Sequence, residues 1–268
     1  MSAGTLAEEL LLLAVRTARE AGELIGQYAT EGFAVGTKST ATDMVTEADR
    51  AAERLIAERL LGARPEDGIL GEEGASEPGS SGVRWVVDPL DGTTNFVYGI
   101  PAYAVAIAAE VDGEVVAGVV HDVAHGLTYA AALGGGATCN GRPIRVREGA
   151  TLATALVATG FAYDAARRAR QAELLRLVLP RVRDIRRMGS AALDLVHVAC
   201  GRLDGYFEYR LNPWDIAAGG LIVREAGGRT GGFGGFGFVD GYVVAAGAGL
   251  FGELCALVDA AWRATAGR

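Results

Sequence analysis

The sequence predicts a mixed fold, α+β over residues 1–150 and α/β over residues 151–268. Three observations carry this expectation. A helical N-terminal stretch leads into β segments that turn back on themselves through Asp112-Gly113, a favoured pair for a two-residue hairpin loop. Past residue 150 the pattern changes to strands and helices in alternation. The chain has 268 residues, 50% apolar and 22% charged, an ordinary globular composition with room for one large domain or two modest ones.

Taken in order, Leu6, Leu10, Leu13, Ala21, Leu24 and Tyr28 share one helical face, and Thr5 with Glu8 has the spacing of a capping box in front of it. A second helix is expected from Glu47 to Leu61, stopping at Gly62. Val83–Asp88 reads as a short buried strand, and AYAVAIAAEV and EVVAGVVHDV form the two arms of the hairpin, with more strand at Leu127–Ala132. In the second half ALVATG reads as a buried strand, and Asp164 caps a helix that reaches Pro180. Ser190 caps another that ends at Gly201, and GYFEYR reads as a strand. Pro213 opens a helix that ends at Gly227-Gly228, and YVVAA leads into a last helix from Leu250 to Trp262. The low-complexity run GGFGGFG (231–237) reads as a flexible turn. GGGATCNG lacks the strand-to-helix frame of a dinucleotide site and reads as a turn between strands.

A formal net charge of −8 argues against sequence-independent nucleic-acid binding, which needs a basic face. Cys139, Cys200 and Cys255 are few, odd in number and far apart, so neither a disulfide framework nor a zinc site is expected, and a reducing cytoplasm fits better. The N-terminus has acidic Glu8 and Glu9 before a short apolar run, unlike a secretory signal or a membrane span.

Four acidic segments stand out: Asp43–Asp49, Ile69–Glu73, Asp88–Asp91 and Trp214-Asp215. Singly, each has a plain structural explanation, such as a helix-terminal box at Thr46 and Asp49 or a first-turn helix acid at Asp215. Asp88 and Asp91 resist that reading, because an aspartate ending an apolar strand is poorly solvated and Pro89 stiffens the backbone so that the second carboxylate lands nearby. Carboxylates gathered away from water need protons, basic partners or hard cations. No Lys or Arg lies within this motif, and oxygen-only ligands suit magnesium rather than zinc. His121, His125 and His197 show no ligand spacing and read as structural or surface residues. Two magnesium ions at such a site bind phosphate oxygens and acidify water, with Gly92 allowing close backbone approach and Thr93 and Thr94 offering hydroxyls. The rival reading, the DxDGT nucleophile loop of haloacid-dehalogenase-type phosphatases, requires one residue fewer between the aspartates than the DPLDGT found here.

These residues resemble the inositol monophosphatase family over nearly the whole chain, through DMVTEAD, GEE, WVVDPLDGTTNFVYGIP, NGRPIRV, TGFAYD, RRMGSAALDLVHVACGRLDGYFE and NPWDIAAGGLIVREAGG. The resemblance implies a layered αβαβα sandwich of the inositol monophosphatase/fructose-1,6-bisphosphatase type, magnesium dependence, lithium sensitivity and a homodimer. It also implies site roles. Glu72, Asp88 and the Leu90 carbonyl would bind one ion, Asp88, Asp91 and Asp215 a second, and Glu72 a third, weaker one through water. Thr93 and Asp49 would orient and deprotonate the attacking water, with Glu72 also in the catalytic set. The amides of Gly92 and Thr93 would meet phosphate. Gly189, Ser190, Ala191, Glu208 and Asp215 would line the substrate pocket, and Arg187 would face substrate or partner the nearby acids. Lys38 would precede a mobile loop, KSTATD, that closes over the metals. Residues 1–150 would then supply most metal ligands, and 151–268 Asp215 and the substrate pocket. The glycine-rich 231–237 and Gly247-Ala248-Gly249, where the family often has proline, depart from the pattern away from the chemistry.

The expected function is magnesium-dependent hydrolysis of a small phosphorylated polyol, myo-inositol monophosphate first. Fructose bisphosphate, histidinol phosphate and phosphoadenosine phosphate are alternatives within the family. A regulatory protein of the transcription machinery and a structural calcium site are alternatives from other classes. No membrane or direct nucleic-acid partner is expected.

Overall fold

The computed structural model of the chain describes residues 3–37, 44–232 and 242–265. Its elements begin with α1 (Ala3–Glu31), β1 (Val35–Thr37), β2 (Met44–Thr46), α2 (Glu47–Ala63), β3 (Gly68–Gly71), β4 (Ser76–Glu77), β5 (Val83–Asp91) and α3 (Thr93–Val97). A meander follows: β6 (Ala104–Val111), β7 (Glu114–Asp122), β8 (Leu127–Ala132), β9 (Ala137–Cys139) and β10 (Arg142–Pro143). The second half holds β11 (Leu156–Thr159), α4 (Ala165–Val178), β12 (Asp184–Arg186), α5 (Ala191–Ala199), β13 (Gly205–Tyr209), α6 (Pro213–Glu225), β14 (Gly228–Gly232), β15 (Tyr242–Gly247) and α7 (Ala248–Thr265).

Two large sheets and a two-stranded one, β1 antiparallel to β2, organise these elements. An eight-stranded sheet has the order β10-β9-β8-β7-β6-β5-β3-β4 and is antiparallel except where β3 runs parallel to β5. A five-stranded sheet has the order β12-β11-β13-β15-β14, with β11 parallel to both its neighbours and the remaining pairs antiparallel. Asp112 (φ 51°) and Gly113 (φ 85°) both take positive φ in the β6–β7 turn, the twist a tight hairpin requires.

Strand alternation sorts the core into three apolar layers. Trp85, Val87, Val105, Ile107, Ala109, Ala117 and Val119 face α1 and α2. Val86, Ala104, Ala106, Ala108 and Val120, one residue out of phase, face α5 and α6. The same middle layer takes in Ala158, Tyr206, Val243 and Ala245 from one face of the smaller sheet, whose other face packs Val157, Phe207, Val244 and Ala246 against α4 and α7. The order is therefore α1/α2, large sheet, α5/α6, small sheet, α4/α7, the expected αβαβα sandwich. In the middle layer β7 and α6 approach closely at Gly118 of β7, where an added Cβ would stand 3.0 Å from the Ala218 backbone of α6.

Several expected boundaries shift. Helix α1 begins at Ala3, so Thr5 lies inside it rather than at its cap. Its buried line runs through Leu10, Ala14, Ala18, Ala21 and Ile25, while Leu24 and Tyr28 are half-buried. Helix α2 passes through Gly62 to Ala63, because one interior glycine weakens a helix without stopping it. Gly231 and Gly232 complete strand β14 through pairing with Val244 and Val243, instead of belonging to a turn, and the rest of the glycine-rich run lies outside the described residues. The GGGATCNG segment is not all turn, since short β9 forms within it. Gly247 ends β15 and α7 starts at once at Ala248. The expected caps Thr46, Asp164 and Ser190 all form.

Replacing Gly118 by valine should force β7 and α6 apart. Unfolding in urea should show a loss of roughly 1–3 kcal/mol, the usual penalty for overpacking.

Candidate active site

Strand β5 does not remain regular to its end. Asp88 pairs with Ala106 and Asp91 with Ala104, so the two residues between them stand opposite the single Val105. In an unbroken strand, side chains three apart point to opposite faces; the bulge returns Asp91 to the face of Asp88. Pro89 occupies the irregular position, where a residue without an N–H loses no ladder bond. The Asp88 carboxylate accepts from the Leu90 N–H at 3.1 Å, which closes the bend.

Two neighbouring elements add carboxylates to this strand end. Strand β3 lies alongside β5 with Gly71 opposite Val87, and the Glu72 N–H donates to the Val87 carbonyl at 3.2 Å, which places Glu72 beside Asp88. Asp215 sits in the first turn of α6, where Asn212 is the N-cap of a capping box, and its carboxylate accepts from the Asn212 N–H at 2.6 Å. The N-terminus of α5 abuts Asp91, whose Oδ2 accepts from the Ser190 hydroxyl at 2.6 Å and the Ala192 N–H at 2.7 Å.

These groups line one cleft of about 390 Å³ together with Leu90, Gly92, Thr93, Gly189, Ser190, Ala191 and Glu208. Of the candidate site residues that the structure describes, only Asp49 is not part of this lining. It is 1% exposed, and its Oδ2 accepts from the Thr46 N–H at 2.8 Å and from the Thr46 hydroxyl, as a capping box requires. Its Oδ1 is 2.9 Å from the Thr93 hydroxyl, which also has the Leu90 carbonyl at 3.1 Å as an acceptor for its single proton. The helix-cap reading and the dyad reading thus describe two oxygens of one carboxylate. Gly92 has φ 96°, and a Cβ there would stand 2.8 Å from the Ala102 carbonyl oxygen, so the turn into α3 takes glycine. Lys38 and the rest of KSTATD lie outside the described residues.

The electrostatics follow from burial. Burial, then Glu72, Asp91 and Asp215, push the Asp88 carboxyl well above its ordinary range, and Asp88 and Glu72 are hydrogen-bonded to one another. Burial raises Asp91 to about 7, although its bonds from Ser190 and Ala192 work in the other direction. Burial, then Asp91 and Glu72, raise Asp215. Burial also raises Glu208, opposed by the Tyr206 hydroxyl, which donates at 2.7 Å, and by Arg187. Among the described residues no three His, Cys, Asp or Glu side chains converge tightly enough to enclose an ion as they stand. The donor set still fits a hard divalent cation. Its atoms are all oxygens, and two buried carboxyls within hydrogen-bonding range must share either a proton or a cation.

Some contributors carry no linear signature. Glu53 of α2 is 7% exposed and accepts from the Glu73 N–H at 2.8 Å and the Ala75 N–H at 3.0 Å, shaping the loop that carries Glu72. Its place four residues after Asp49, on one helix face, is the only sequence signal for it. Asn95 of α3 donates to the Ala102 carbonyl at 2.7 Å and the Met188 carbonyl at 2.8 Å, tying the strand-end loop to the segment before α5. The histidines keep away from the cleft: His121 contacts Thr128, His125 contacts Asp122, and His197 contacts Arg202.

Fold and cleft together define a layered α/β protein with an acidic strand-end site, and the family profile agrees. The inositol monophosphatase family matches residues 6–262, and the chain belongs to that family. It is 49% identical over 246 residues to an inositol-1-monophosphatase of Mycobacterium leprae, covering 86% of this chain and 83% of that one. It is 43% identical over 242 residues to a protein of Pasteurella multocida named Nus factor SuhB, covering 88% and 91%. The crystal structure of extragenic suppressor protein suhB from Bartonella henselae superposes with a TM-score of 0.86 at 38% identity, covering 97% of this chain and 99% of that one.

The raised acids set a pH dependence for the metal-free protein. Between the ordinary aspartate value of 3.8 and about 7, native Asp91 keeps a proton that the unfolded chain has released. The stability from that proton is full below the lower value and is lost as pH rises through the upper one. With chelator present, the melting temperature should therefore fall across this window. Asp91→Asn should flatten part of the slope, and added magnesium should raise the melting temperature at neutral pH.

Proposed function

We propose that the chain is a magnesium-dependent phosphatase acting on a small sugar-alcohol monophosphate, with myo-inositol monophosphate placed first. The observation that carries this reading is the meeting of Glu72, Asp88, Asp91 and Asp215 in one cleft, against the Thr93–Asp49 hydrogen bond. Glu72, Asp88 and the Leu90 carbonyl would hold one ion and Asp88, Asp91 and Asp215 a second, with Glu72 reaching a third through water. Bound there, magnesium supplies charge neutralisation to the phosphate and acidity to water.

The chain's own groups do the rest. Thr93, donating to Asp49 Oδ1, keeps its lone pairs for a water proton, so the hydroxyl orients the nucleophile and takes up that proton as its own passes to the Asp49 carboxylate. The N–H groups of Gly92 and Thr93, at the start of α3, are donors for phosphate oxygens. Glu208, held by Tyr206, accepts from a substrate hydroxyl, and Gly189, Ser190 and Ala191 shape the wall beside it. An acid at that position favours a polyol over a second phosphate. Arg187, which opposes the upward shift of Glu208, moderates the negative wall.

Among the described residues no helix is long and apolar enough to cross a membrane. A cytoplasmic homodimer is the state we propose. The Pasteurella relative's name favours a second reading, a role in a transcription complex. Capture of transcription proteins by an Asp91→Asn variant as well as by wild type would support that role independently of chemistry.

Turnover of inositol 1-phosphate, fructose 1,6-bisphosphate, histidinol phosphate and 3′-phosphoadenosine 5′-phosphate should rank the first highest; finding it among the poorest sinks the substrate assignment. Asp215→Asn should abolish turnover while the protein stays folded by circular dichroism. Thr93→Ala should lower kcat by about 10²–10⁴-fold, the range for a lost general-base contact, with magnesium affinity little changed in titration calorimetry.

A further inference from the structure

Asp194 has no part in the site as described, yet it lines the same cleft. It stands in the first turns of α5, four residues after Ser190 and so on the same helical face, and is 1% exposed. The other carboxylates named around it have protein donors. Asp88 accepts from Leu90, Asp91 from Ser190 and Ala192, Asp215 from Asn212, and Glu208 from Tyr206. Asp194 differs: no donor among the described residues reaches its buried Oδ1. A carboxylate oxygen removed from water without a donor is destabilising, so its retention in the cleft wall needs a compensating group. Burial first, and then the charges of Glu208 and Asp91, push its carboxyl well above the ordinary range, opposed by Arg187.

A first-turn acid can also stabilise its own helix through the dipole. That role needs only exposure to the helix end. It explains neither the burial nor the position in the lining of the cleft. A ligand hydroxyl does explain both, because it brings a donor to a carboxyl that has none. Two carboxyl acceptors lining one cleft match two hydroxyls of a polyol ring.

We propose that Asp194 is a specificity residue for the alcohol portion of the substrate, pairing with Glu208 so that the two carboxyls read two hydroxyls of a polyol phosphate. This rests on the phosphatase reading above. Asp194 takes no part in phosphate transfer, so its removal weakens polyol binding and leaves the chemistry in place.

The test compares wild type, Asp194→Asn and Asp194→Ala on inositol 1-phosphate and on 4-nitrophenyl phosphate, a monoester whose leaving group has no hydroxyl. Asp194→Ala should raise KM for the inositol ester about tenfold, the scale of a lost hydrogen bond, with kcat near wild type. Its kcat/KM for the nitrophenyl ester should stay within about twofold, since that substrate makes no such contact. Asp194→Asn, whose amide oxygen still accepts, should fall between. Equal losses on both esters, no loss on either, or variants that fail to fold by thermal melt would overturn the inference in favour of a structural acid. A wild type inactive on both esters would overturn the phosphatase reading itself and this inference with it. Wild-type activity on both without discrimination by the variants overturns only the role of Asp194.

Discussion

Like charge held together out of water is the constraint around which the molecule is built. Asp88 and Glu72 are close enough to hydrogen-bond, and burial with its neighbours drives Asp88 and Asp215 strongly toward the neutral form. No apolar packing relieves such repulsion. Three separate elements hold the acids in place: the end of β5, the residue after β3, and the first turn of α6. Each fixes its carboxylate through local backbone geometry. The instability is therefore confined to the side chains, where a cation or a proton can answer it.

The layered architecture serves that arrangement. Helices α5 and α6 form the middle layer between two sheets, so both are buried along much of their length while their N-termini emerge at one cleft. A helix N-terminus presents unpaired N–H groups and a positive dipole end, which suits the acids it meets. The Ala192 N–H on Asp91 and the Asn212–Asp215 capping box are direct expressions of this. The close approach of β7 to α6 at Gly118 keeps α6 seated on the large sheet, and with it Asp215 at the cleft.

Helix-capping bonds and cleft contacts fall on the same residues. Asp49 ends one helix with one oxygen and meets Thr93 with the other. Ser190 caps α5 and also donates to Asp91. A residue used twice in this way cannot be assigned to structure or to function by its immediate neighbours in the chain, because its local context fits either.

The main helices, the β6–β7 hairpin and three caps were legible in the sequence, because periodicity, turn pairs and capping residues act over a few positions. The acidic strand-end motif was legible for the same reason, as a conflict between an apolar strand and two carboxylates. Short edge strands such as β1, β4 and β10, and the pairing of Gly231 and Gly232 in β14, were not, since their strand character comes from partners far along the chain. Glu53, Asn95 and Asp194 were likewise illegible: an acid or amide on a helix shows its purpose only when the loop or wall it faces is in place. The sequence by itself determined which segments form and which carboxylates resist an ordinary solvated role, both local matters of hydrophobic period and desolvation. Only the tertiary structure decided that a bulge would turn Asp91 onto the face of Asp88 and that β3 and α6 would bring Glu72 and Asp215 beside them, because register and layer packing depend on contacts between residues distant in the chain.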